Sequence, residues 1–140
     1  NHMQWIWKLS LSLCGLYGAA VVGMSAAISH HFQFVMVTEE FSRLVSSTGV
    51  LAFQAIALLV LSLYCLPRNS GWRDEFNRPQ QALLGLVMLG CHLGLWCFVY
   101  TVWAGLFELP LYWRQLAPIG GQMLIFCWVG VMLLPWLRKN

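Results

Sequence analysis

Charge is what this chain of 140 residues has least of: Lys, Arg, Asp and Glu make up 9% of it, against roughly 25% in a soluble domain. Eight basic and five acidic side chains cannot clothe a water-facing surface for a chain that is 59% hydrophobic. Lipid must therefore be part of its solvent. Carboxylates are missing from every long apolar run. No Ser, His and acid fall at one depth, and no glycine-rich phosphate loop follows a strand. An enzyme is not expected. Runs of basic residues interleaved with aromatics are missing too, and the net charge of +3 is scattered, so nucleic acid drops out as a partner. The five cysteines (Cys14, Cys65, Cys91, Cys97 and Cys127) form no Cys-x-x-Cys pair and no finger spacing. All lie in apolar runs, where reduced thiols act as small hydrophobes. No cofactor is expected.

What the chain does have is four stretches long enough to cross about 30 Å of hydrocarbon, which takes roughly 20 helical residues. They run over about Trp5–Ser29, Leu44–Leu66, Gln81–Phe107 and Pro118–Leu137. Without alternating polarity over such lengths, only helices satisfy every backbone polar group in lipid. The expected fold is an all-α, integral-membrane four-helix bundle of up-down-up-down topology, forming a single domain over residues 4–140. Asn1-His2-Met3 reads as an expression leftover ahead of a native Met3. Lys8, an apolar stretch and Ser25-Ala26-Ala27 resemble a cleavable signal, but the run is longer than a signal core, and a retained helix is expected.

Orientation follows from Lys and Arg. Four crossings put both termini and the second loop on one side. That side holds Lys8, Arg68, Arg73, Arg78, Arg138 and Lys139, and the other only Arg43 and Arg114. Both termini are expected in the cytoplasm, with Glu39, Glu40 and Glu108 outside. The loop Pro67–Pro79 reads as a polar cytoplasmic turn, and His31–Arg43 as a short amphipathic segment in the interface. Leu109–Ala117 reads as an aromatic stretch at the outer headgroup level. Trp5, Trp7, Trp72, Trp113 and Trp136 are placed at one interface or the other.

Helices in lipid approach closely through small residues. Gly15, Ala19, Gly23 and Ala27 recur every four residues in the first span, and Gly90 and Gly94 do so in the third. The fourth opens Pro118-Ile119-Gly120-Gly121, and proline suits a first helical position. These faces read as internal seams of the bundle or as a seam between copies of the chain.

Intramembrane polar side chains are the default place to look for function. Here they are Ser25, Ser29, His30, Gln54, His92, Thr101 and Gln122. At 1.5 Å per residue, Gln54 and His92 both arrive near the midplane. They form either an interhelical contact or a polar, proton-handling site. Ser29, His30, Thr101 and Gln122 should reach the outer end, as a polar cavity or as helix ends meeting water. Met88 and His92 share a helix face beside Cys91, and Met123 and Cys127 repeat the spacing, a soft donor set that would suit Cu(I). Without a Met-rich run, Met88 and His92 are only weak metal candidates. Haem on His30 and His92 fails on depth.

The stretch Phe98–Gly121 (FVYTVWAGLFELPLYWRQLAPIGG) resembles the YgdD-like family of small four-helix bacterial inner-membrane proteins, in which Pro-x-Gly-Gly opens the last helix. Ser25-Ala26-Ala27-Ile28-Ser29-His30 is similar to the family's small-residue run ending in a histidine. Thr48-Gly49-Val50 with Ala55-Ile56-Ala57-Leu58-Leu59 resembles its second helix, although Gln54 stands where relatives usually carry a histidine. The resemblance implies the same fold and a multi-pass place in the bacterial inner membrane, and no activity.

The expected role is a non-enzymatic accessory, scaffold or partner-binding subunit, whose partners are the lipid bilayer and a second copy or another membrane protein. The first alternative is an oligomeric small-molecule or ion pathway lined by Gln54, His92 and Gln122. The second is a redox or metal-handling subunit using His92, Met88 and the cysteines.

Overall fold

The computed structural model describes residues 2–65, 77–110 and 113–137. Arg68, Arg73, Trp72, Arg138, Lys139 and most of the second loop lie outside the described residues. Among these residues every regular element is a helix, with no strand. Helix α1 spans His2–Ala27 and continues through a π-helical turn, Ile28–Phe32, into Gln33–Val35. Helix α2 is Thr38–Cys65. Helix α3 is Arg78–Leu95, passing through a π-helical turn at Trp96–Tyr100 into Thr101–Phe107. Helix α4 is Leu116–Leu133, ending in the 3₁₀ turn Leu134–Leu137. All four are long and apolar enough to cross a membrane. The chain is a multi-pass membrane four-helix bundle.

Local chemistry sets helix ends that differ from the expected ones. No proline or glycine interrupts His30–Val35, so α1 runs on past Ser29, and the connection shrinks to extended Met36 and Val37. The separate interfacial segment expected at His31–Arg43 is not formed. Glu39 and Glu40 instead occupy the first turn of α2, where the helix dipole favours acids. Arg43 closes an i,i+4 ion pair on Glu39 at 2.9 Å.

Helix α3 starts three residues early because Asn77 caps it. Its side chain accepts from the Gln80 N–H at 3.0 Å, and the Gln80 side chain accepts from the Asn77 N–H at 3.2 Å. This is a reciprocal capping box. At its far end Glu108 adopts a left-handed conformation (φ 55°) and the Leu109 N–H donates to the Ala104 carbonyl at 2.9 Å, closing α3 without a glycine. Pro118 stands at the third helical position of α4, not the first, still within the turn whose N–H groups lack helical acceptors.

Helix α1 packs mainly on α2 and α4 mainly on α3, with α2 and α3 also in contact. Leu51, Leu58, Leu84, Leu95 and Leu124 fill the core between them. Aromatic contacts around it join helices from Tyr17 to Trp96, from Phe32 to Phe107 and from Phe53 to Trp128. At the other end α3 holds α4 by its carbonyls: Asn77 Nδ2 donates to Leu137 O at 3.1 Å and Gln80 Nε2 to Leu134 O at 3.0 Å.

The small-residue faces divide. On the α3–α4 seam a Cβ at Gly120 would lie 2.6 Å from both Gly94 O and Phe98 N, and one at Gly94 would lie 2.9 Å from Gly120 O. A Cβ at Gly90 would meet Cys127 Sγ at 2.6 Å, and Gly130 would press on Val87; Gly121 touches Phe98 only at ordinary distance. Gly90, Gly94 and Gly120 are therefore seam residues. Gly15 and Gly23 are not: nothing lies within 4 Å of a Cβ at either, and they are exposed with Ala19, while Ala27 is half-buried. Helix α1 buries the opposite side instead, with Trp7, Ser10, Cys14 and Tyr17 at spacings of three and four. Trp7 is thus a core residue and not an interface anchor; Trp5, Trp113 and Trp136 are exposed.

Candidate functional site

The polar centre of the bundle is built on His92. From α1, Ser10 Oγ lies 2.8 Å from His92 Nε2 and Tyr17 OH lies 2.7 Å from His92 Nδ1. From α2, Ser62 Oγ lies 2.7 Å from Ser10 Oγ, with Cys14 Sγ at the edge of reach, 4.0 Å from Ser62. Ser10, Tyr17 and Ser62 are buried and the imidazole is half-buried. Three helices therefore contribute to one chain of hydrogen bonds.

A neutral imidazole carries one N–H and one lone pair, so the chain has a direction. Either Tyr17 donates to Nδ1 and Nε2–H donates to Ser10, or Nδ1–H donates to Tyr17, Ser10 donates to Nε2 and Ser62 donates to Ser10. Both ring nitrogens are occupied in each case. His92 and Ser10 also border an apolar groove of about 430 Å³ between α1 and α3, with Ile6, Trp7, Met88 and Leu89. A metal on His92 and Met88 would have to displace Ser10 or Tyr17. Among the described residues no three His, Cys, Asp or Glu side chains gather at one point. Cys14, Cys91, Cys97 and Cys127 are free thiols.

Gln54 does not join His92. It is 97% buried, counting its exposure of 3%, and borders a different cavity, of about 240 Å³, with Phe53, Phe98, Gly121, Leu124 and Trp128. Its carbonyl oxygen has no hydrogen-bond partner. Counting residues placed the two at one height, but Ser62, two turns along α2 from Gln54, is the residue at the level of His92, and Gln54 borders a separate cavity.

The outer polar set also disperses. Ser29 and His30 are exposed on α1, a turn before its end, and Gln33 Nε2 donates to the Ser29 carbonyl at 2.6 Å. Ser25 is exposed on α1, and Gln122 is exposed on α4. Thr101 is buried at 5% exposure, with its hydroxyl unpartnered, and borders an outer cavity of about 260 Å³ with Glu40, Arg43, Gly105, Arg114 and Ala117. Gln54, His92 and Gln122 therefore line no common path. Ser10, Tyr17 and Ser62 were missed, although the spacing of Trp7, Ser10, Cys14 and Tyr17 marks a single helix face. The gathering of Arg43 and Arg114 was missed as well; its trace in the sequence is that they are the two basic residues placed outside.

No family model, no curated protein and no solved structure matches the chain.

Proposed function

We propose that this chain is a non-enzymatic multi-pass protein of the bacterial inner membrane that acts by packing against a second membrane helix, as a partner-binding or accessory subunit. The observation that carries the reading is the outward side of α1. Ser12, Gly15, Ala19, Gly23 and Ala26 lie along it, all exposed, and the two glycines have open space where a side chain would stand. In lipid a smooth, small-residue helix face gains little from acyl chains and much from another backbone, because close approach recovers van der Waals contact. Of the four spans α1 is also the least covered by its own chain: 11% of its most apolar window is buried, against 39% for α2 and α3. The likeness to the YgdD-like family belongs to the same proposal and supplies the inner membrane.

The test is site-specific photocrosslinking in native membranes, with the probe at Ala19 and a control at Ile125, which is exposed on α4. Protein adducts are expected at position 19 and not at 125, and Gly23→Leu should abolish them while the bundle stays folded. Crosslinks to lipid alone at both positions would sink the reading.

A further inference from the structure

The outer cavity carries more than its position. It is bounded by two arginines, one glutamate and one buried hydroxyl from three stretches of chain: Arg43 and Glu40 near the start of α2, Thr101 on α3, and Arg114 just ahead of α4. Its volume of about 260 Å³ is several times the roughly 30 Å³ that one water occupies in the liquid. Thr101 lies 95% buried, at 5% exposure, with no hydrogen-bond partner for its hydroxyl. A hydroxyl in a helix ordinarily bonds back to the carbonyl four residues earlier; Thr101, directly after the π-helical turn at Trp96–Tyr100, makes no such bond and borders the cavity instead. Gly105, one turn further on, leaves space open beside it.

Depth and charge narrow the occupant. Helix α3 is 30 residues long, about 45 Å at 1.5 Å per residue, which matches a bilayer with its headgroup layers, about 40–45 Å. Thr101 sits six residues before Phe107, roughly 9 Å below that end, where hydrocarbon gives way to headgroups. Arg43 is already paired with Glu39 through one nitrogen, and a guanidinium has further N–H donors to offer. Arg114 has no ion-pair partner among the described residues. Two arginines and a hydroxyl suit a phosphate, with Arg the residue of choice for bidentate contact. Glu40 would repel a purely anionic headgroup, and it needs a cation with N–H donors.

We propose that this cavity binds the headgroup of a phosphoethanolamine phospholipid. The phosphate rests on Arg43 and Arg114, with the Thr101 hydroxyl turning to donate to it, and the ammonium donates to Glu40. The acyl chains remain in the bilayer, so the site reads a lipid without extracting it.

Native mass spectrometry of the full chain, released from micelles holding equal amounts of phosphatidylethanolamine, phosphatidylglycerol and phosphatidylcholine with matched chains, tests this. Ethanolamine lipid should be retained about fivefold over the other two, the discrimination of a single half-exposed charge-assisted contact. Arg114→Ala should lower retention of all three lipids. Glu40→Gln should erase the preference over phosphatidylcholine, whose quaternary amine has no N–H. Thr101→Val should weaken retention while leaving the melting temperature unchanged or higher, since an unpartnered hydroxyl is lost. Equal retention of the three, a preference for phosphatidylglycerol, indifference to Arg114→Ala, or displacement of the lipid by millimolar inorganic phosphate would each overturn the proposal.

Discussion

Single side chains in this bundle separate into those with partners and those without. His92 is tied to α1 at both nitrogens, so His92→Leu breaks two interhelical bonds, leaving the Tyr17 hydroxyl without the imidazole and Ser10 with Ser62 alone. Such bonds in membranes average about 0.6 and reach about 1.7 kcal/mol, so a loss of about 1–3 kcal/mol is expected in denaturant titration of the micellar protein. Gln54→Leu is its opposite. The amide oxygen is buried without a partner, and exchanging it for a methyl group removes a desolvated polar atom. We expect no loss, or a gain of up to about 1 kcal/mol. If Gln54→Leu costs as much as His92→Leu, the amide has a partner and the separation of the two residues is wrong. Counting 1.5 Å per residue put both near the midplane, yet the α2 residue that reaches the His92 network is Ser62, roughly 12 Å along the helix from Gln54. Height carries no information about azimuth. Which side of the bundle a polar residue faces depends on the rotation of every helix at once, and the Gln54–His92 pairing failed on height and azimuth together.

At the scale of helices, small residues act only where a neighbour has arrived. Gly94→Ala and Gly120→Ala push a methyl onto the opposing backbone, which cannot rotate away, and each should cost about 1–3 kcal/mol. Gly15→Ala and Gly23→Ala meet open space and should be neutral or stabilise by up to about 1 kcal/mol through helix propensity, while weakening crosslinking from Ala19. Thermal unfolding of the four variants in one detergent decides the matter, and equal penalties at all four would show α1 to be packed internally after all. The four spans were legible because lipid imposes length and uniform apolarity together. Their ends were less so. The capping box of Asn77 and Gln80 lengthens α3 into what reads as a polar loop, and the unbroken His30–Val35 stretch carries α1 through residues that look interfacial. The α1 glycine face and the α3–α4 glycine face have the same spacing, so spacing alone could not say which was covered.

For the molecule as a whole, four crossings put both ends on one side of the membrane, and the excess of Lys and Arg there predicts the cytoplasm. Reporter fusions that fluoresce only in the cytoplasm should light at both ends, and a silent reporter at either one contradicts the orientation. One feature of the inner end bears on how such a bundle comes to exist. The side chains that start α3 are completed by the carbonyls of Leu134 and Leu137, groups the ribosome makes only after all of α4. Until then the side-chain N–H groups of Asn77 and Gln80 have only water to receive them. The second half of the protein therefore enters the bilayer as a clasp whose catch is synthesised last: His92 can already hold α3 to α1, but the start of α3 is fastened only when α4 has followed it in.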